Sequence, residues 1–478
     1  MDFLGQLYNG EYWFSRFLLQ RALAFIYLLS FVNALNQFPA LCGKNGLLPI
    51  DLYLERASFK RAPSIFHWRY SDKLLRTVAW IGILLSLVAL SGLSEWGPLW
   101  ISMLIWLLLW ALYLSIVNVG QTFYGFGWES MLLEVGFFAI FLGPAHMAAP
   151  VLVIWLIRWM LFRVEFGAGL IKMRGDQCWR DLTCLSYHHQ TQPLPNPLSR
   201  YFHLLPEPIH KMETFFNHTI QLVIVWGLFF PQPAASIAAA LIILSQGYLI
   251  ISGNYSWLNW LTLSLAFSGF SDGVIQNVIG VTPPVVASLP ALYYPVLLIL
   301  GIAVLIMSYQ PVKNMLSPGQ MMNFSFNPLH LVNTYGAFGS VTKKRYEIIL
   351  EGTDENQLTD ETEWKEYEFK GKPGDPAKRP PQISPYHLRL DWQMWFAAMS
   401  SPRQNRWLLT LIHKLLNGNR SAEKLLKKVP FKNEPPKYIR ARLFRYRFTS
   451  QKEYKETDNW WKRSFVNRYI RPLSLEDF

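Results

Sequence analysis

The side chains best able to do chemistry in this chain are concentrated in residues 158–203, RWMLFRVEFGAGLIKMRGDQCWRDLTCLSYHHQTQPLPNPLSRYFH. Arg158, Arg163 and Glu165 fall inside an apolar run, 151–171, that is long enough for a membrane helix. There an ionisable side chain is costly unless paired or hydrated, which makes it a functional candidate by default. Arg158, Glu165 and Lys172 recur every seven residues. On a helix of about 3.6 residues per turn this predicts a charged stripe with the acid between two bases. Gly167 and Gly169 lie beside that stripe, where small residues let another helix or a ligand approach the backbone. Two readings follow: a structural ion pair fixing the helix against its neighbours, or a reactive site.

The polar loop behind the stripe carries Arg174, Asp176, Trp179, Arg180, Asp181, His188 and His189. Cys178 and Cys184 do not have the spacing of a redox pair. Two readings stay open: two ordinary buried thiols, or a structural disulfide where the loop faces an oxidising compartment. His188 and His189 are adjacent, and neighbouring residues rarely converge on one ion; even with His203 and His210 further on, no metal site is expected. Prolines at 193, 195, 197, 206 and 208 impose an extended path, suited to a lid or to a strap across the bundle. Much further on, Trp392, Trp395 and Phe396 share a helix face, as either a domain core or a client-binding surface would.

These residues are positioned by two unlike parts of the chain. At 478 residues, 51% hydrophobic and only 16% charged, it is too apolar for an ordinary soluble enzyme. Apolar runs fill 14–310, while the last third is charged and punctuated by turns. The predicted fold is a multi-pass α-helical membrane bundle over 1–322, with polar loops 36–76 and 172–214, followed by a soluble α+β domain over 323–478. About nine spans are expected, near 14–35, 78–93, 99–119, 131–147, 151–171, 215–230, 234–251, 257–270 and 289–307. That count puts the large polar segments on one working face. In the last third, RYEIILEGT, WKEYEFKGK and YIRARLFRYRFT alternate as strands, and LRLDWQMWFAAM, RWLLTLIHKLL and AEKLLKKV read as helices. Trp460 and Trp461 are expected to dock the tail.

The net charge of +13 is spread over loops rather than gathered in one arm, which suits lipid headgroups and argues against nucleic acid. No phosphate loop, dinucleotide fingerprint, nucleophile elbow or zinc spacing is present. The N-terminus lacks a basic n-region and a cleavage site, so the first helix is expected to be retained.

The stretches FGAGLIKMRGDQCWRDLTCLSYHHQTQPLPNPLSRYFH, NTYGAFGSVTKKRYEIILEGT, WKEYEFKGKPGDPAKRPPQISPYHLRLDWQMWFAA and PPKYIRARLFRYRFT strongly resemble the lipase maturation factor family. The resemblance implies a multi-pass membrane protein that helps secreted lipases fold and assemble, without a cofactor, with the C-terminal domain on the non-cytoplasmic side and associated with client recognition. It implies the endoplasmic reticulum membrane in a eukaryote. The ending SLEDF shows no retention signal, which leaves a bacterial inner membrane open. The positive-inside rule, applied to Lys44, Arg56, Lys60, Arg61, Arg69, Lys73 and Arg76, points the other way, although it weakens for long loops and translocated domains. The bundle is also distantly similar to vitamin K-dependent gamma-glutamyl carboxylase, where a Phe-x-Ala-Gly-x-x-Lys pattern carries a lysine base. Phe166, Ala168, Gly169 and Lys172 match that spacing. This implies an alternative: an enzyme using Lys172 as base and a quinone-like, lipid-soluble cofactor.

Overall fold

The computed structural model describes residues 9–431 and 433–478. Five of the described helices are long and apolar enough to cross a membrane: α1 (Trp13–Leu41), α2 (Asp72–Ser91), α3 (Leu99–Val117), a fourth at Ala234–Ser252 and a fifth at Tyr293–Leu316. Local signals set their limits. Helix α2 starts at Ser71, whose hydroxyl accepts the Leu74 amide, and stops at Gly92, whose φ of +86° most residues avoid.

The remaining expected spans are helical but differ in length or polarity. Gly127–Ala139 (α4) has 13 residues and Leu258–Ala266 only 9. At about 1.5 Å per residue, neither covers a hydrocarbon core of about 30 Å. Val151–Arg174 (α5) is long enough at 24 residues but carries its charges along its length. The 215–230 segment is divided: α8 (Glu207–Leu222) ends and a 3-10 helix, Ile224–Phe229, continues. Between α5 and α8, the chain folds into two short helices, α6 (Leu185–Thr191) and α7 (Ser199–His203). Beyond α8, we number Ala234–Ser252 as α9 and Leu258–Ala266 as α10.

The C-terminal region contains an antiparallel four-stranded sheet of order β2-β1-β3-β4: β1 (Arg345–Thr353), β2 (Lys365–Glu366), β3 (Tyr438–Phe448) and β4 (Trp461–Leu473). β1 pairs with β3 from Arg345–Tyr446 to Thr353–Tyr438, and β3 pairs with β4 from Phe448–Trp461 to Ile439–Leu473. Only two residues of the expected WKEYEFKGK strand pair. Lys427 and Lys428 instead satisfy the backbone at Glu368. The tail differs too: Trp461 opens β4, a 13-residue edge strand whose charges and exposed pattern hid it from a period-two reading.

One hydrophobic core runs from the helices into the C-terminal region. The joint is helix α11 (Arg389–Ala397), which inserts its first turn beside α1 and α4. Arg389 pairs with Glu129 at 2.8 Å, and donates to Asn33 Oδ1 and the Phe123 carbonyl, each at 2.8 Å. All these side chains are fully buried or nearly so, so the charge is matched by close acceptors where water cannot serve.

Candidate functional site

A cavity of about 190 Å³ opens among α5, α8, α9 and α10, closed on one side by residues 335–338. Its walls are mostly apolar, with a few convergent polar groups, the general composition of a ligand site. Glycines make the geometry possible. A Cβ on Gly167 would lie 2.4 Å from the Tyr335 carbonyl oxygen, and one on Gly169 would lie 2.7 Å from Leu222. Without side chains at these two positions, segment 335–338 and α8 close on α5.

That approach places Gln221 between the two charges facing the cavity. Lys172 Nζ donates to Gln221 Oε1 (2.9 Å) and Asn217 Oδ1 (2.8 Å), while Gln221 Nε2 donates to Glu165 Oε2 (3.0 Å). Gln246 Nε2 donates to the other Glu165 oxygen (2.6 Å) and itself accepts from Asn259 (2.7 Å). Glu165 and Lys172 are thus joined through an amide and not by a direct ion pair. Lys172 also stands 5.0 Å above the Trp179 ring.

The expected stripe therefore does not neutralise itself. Seven residues of helix rise about 10 Å, beyond the reach of direct pairing. Arg158 instead donates to the carbonyls of Ser268 (2.8 Å) and Leu228 (3.3 Å). Arg163 leaves the line of the stripe and pairs with Glu134, a buried pair completed by the Asn333 carbonyl and by Tyr335 Oη, which donates to Glu134 at 2.8 Å.

In the loop, Cys178 and Cys184 are joined by a disulfide that packs with Trp179 and Leu185. Trp179 Nε1 donates to the Phe338 carbonyl (2.8 Å), and Asp176 accepts from the Val341 amide (2.7 Å), so both hold the cavity's closing segment. Arg174 donates to Gln320 (2.7 Å). Arg180 and Asp181 are exposed; both bond Gln177, and Arg180 also donates to the Met173 and Gly175 carbonyls at the end of α5. The adjacent histidines diverge: His188 Nε2 is 2.9 Å from Tyr255 Oη, and burial together with the Lys172 charge pushes its imidazole down to about 4. His189 turns towards Phe202 and His210.

Of the C-terminal aromatics, Trp392 is core, edge-on to Trp128 (4.9 Å) and Phe126 (5.8 Å). Trp395 is half-buried and donates to the Thr191 carbonyl (3.0 Å), while Phe396 is exposed. The sequence reading missed Asn217, Gln221, Gln246, Asn259, Glu134 and Glu129. An amide in an apolar helix was the available signal for four of them, and the 217/221 spacing puts two on one face.

Two family models match the chain: the lipase maturation factor transmembrane domain over residues 14–277, and the lipase maturation factor C-terminal domain over 331–471. Lipase maturation factor 1 of Mus musculus is 42% identical over 515 residues, covering 100% of this chain and 90% of that protein. The Homo sapiens protein of the same name is 41% identical, covering 98% and 90%. Lipase maturation factor 2 of Xenopus laevis is 28% identical, covering 98% and 83%. No solved structure gives a significant match.

Proposed function

This chain belongs to the lipase maturation factor family, and from that premise we propose that it is a membrane-bound chaperone that assists the folding and assembly of secreted client proteins, lipases first among them. The observation that carries the proposal is the 42% identity, along the entire chain, to a protein named for lipase maturation. The fold supports it physically. The C-terminal region is clamped onto the helices through buried Arg389 and Arg345, the latter donating to the carbonyls of Gln190 (3.2 Å) and Pro193 (3.0 Å). Edge strand β4 and Phe396, Phe465 and Val466 remain exposed, and an unpaired strand edge is a surface on which an extended chain can add.

The working face and C-terminal region lie on the non-cytoplasmic side in this proposal, which in a eukaryote is the lumen of the endoplasmic reticulum. The Cys178–Cys184 disulfide supports that side, because such bonds persist in oxidising compartments. The amide contacts of Lys172 support a structural role for it. The test is expression of this chain with a secreted lipase in cells lacking their own maturation factor. Recovery of active secreted lipase is expected; inactive, retained lipase beside a correctly inserted protein would refute the proposal.

A further inference from the structure

His189, His210 and Glu213 bring one donor atom each to within 4.8 Å of one another, on the polar side of the bundle. Helix α6 supplies His189, and α8 supplies His210 and Glu213 at positions three apart, so one face of α8 presents an imidazole and a carboxylate together. His189 and His210 are each only 2% exposed, yet His189 Nε2 and His210 Nε2 have no hydrogen-bond partner. Buried imidazole nitrogens are ordinarily satisfied, so an unpartnered nitrogen on each histidine of this cluster needs an explanation. The other His210 nitrogen, Nδ1, lies 3.3 Å from Glu213 Oε2. A further polar atom nearby lacks a partner, His203 Nδ1 on the packed helix α7, and the Tyr248 hydroxyl, which lines the cavity, lies against Glu213.

We propose that His189, His210 and Glu213 form a binding site for a divalent transition-metal ion of the zinc type. Two imidazoles and one carboxylate are the donor set of an open zinc site, whereas calcium and magnesium favour all-oxygen shells. Zinc–nitrogen bonds of about 2 Å place donors roughly 3.3 Å apart, so the more widely spaced donors move inward by at most about 1.5 Å on binding. Glu213, half-buried and unbranched, has the rotational freedom to do this. His189 and Glu213 also line the cavity, so an ion held there borders it and offers its remaining position to a cavity ligand. The sequence alone led to no metal being expected, since it offered His203 and His210 beside the adjacent His188 and His189 but gave no sign that Glu213 joins them. His188 and His189 point apart, and the partners of His189 lie about twenty residues on. This inference does not depend on the maturation role.

The test uses the full, untagged chain in detergent, stripped with chelator and titrated with Co²⁺ by visible absorption and with Zn²⁺ by competition. One ion per chain with the absorption of a four- or five-coordinate site is expected, along with a zinc-dependent rise in melting temperature. His210→Gln and Glu213→Gln should each weaken binding at least tenfold. Glu213→Gln at the cavity rim keeps the comparison valid if the buried His210 variant fails to fold. Equal binding by wild type and Glu213→Gln, or no stoichiometric binding by wild type, would overturn the assignment.

Discussion

At the scale of single residues, the bridge through Gln221 is the feature most open to test. It holds Glu165 and Lys172 in a pocket where neither meets an opposite charge directly. Gln221→Leu leaves both without that partner, and removing one member of a buried charged network costs roughly 3 kcal/mol. A lowered melting temperature in detergent checks this. Lys172→Arg keeps a permanent positive charge and several donors, so lipase maturation should survive. An enzymatic base could not tolerate the change, because arginine does not release its proton near neutral pH. A well-folded Lys172→Arg protein without activity would contradict the structural role. His387 gives a pH signature. It lies fully buried against Trp128, Trp257, Phe126 and Trp392, with Arg389 beside it and Glu129 at 3.8 Å. Burial, then the Arg389 charge, pushes its imidazole down to about 3. An unfolded histidine binds its proton near pH 6.5, so below that pH the unfolded state gains a proton that the native state refuses. Stability is complete above about pH 6.5 and falls by up to about 1.4 kcal/mol per pH unit as the pH drops towards 3. Melting curves between pH 7 and 5 should show a slope that His387→Gln reduces, the remainder coming from other buried imidazoles such as His188 and His330.

At the scale of elements, helix α11 carries both a buried core residue, Trp392, and an exposed aromatic, Phe396. Trp392→Ala opens a cavity at the joint between the two regions and costs about 3–5 kcal/mol, seen as unfolding by circular dichroism. Phe396→Ala, one turn on, changes stability by less than about 0.5 kcal/mol while reducing client capture. The Cys178–Cys184 loop is short, and Cys184→Ser should cost about 2 kcal/mol through added freedom in the unfolded chain, measurable in the melting temperature without reductant. The alternation of β3 made it legible, whereas β1 and α11, buried on nearly every side, were readable from their apolar and aromatic content. It exposed the charged residues of α5 but not their partners, because Gln221, Gln246 and the Asn333 carbonyl come from segments brought in by folding. β4 was hidden by its own exposure: with Lys462, Ser464, Phe465 and Val466 all exposed, no buried face imposes alternation.

At the scale of the whole molecule, the bundle and the C-terminal region share one core and meet through Arg389, Arg345 and Arg200, the last donating to the Thr449 and Ser450 carbonyls at 3.0 Å each. In the proposed maturation role, client handling would belong to the assembled protein, with β4 presented from the helical base. The span count was the least legible global property. Short helices such as α4 and α10 are apolar because protein surrounds them, and composition alone does not separate that burial from lipid. The most direct test of the maturation role is the specific activity of a secreted lipase from cells that lack their own maturation factor, with and without this chain. Activity per mass of secreted lipase should rise severalfold with the wild-type chain and stay at background with Trp392→Ala. Unchanged specific activity in the presence of properly inserted wild-type protein would contradict the account.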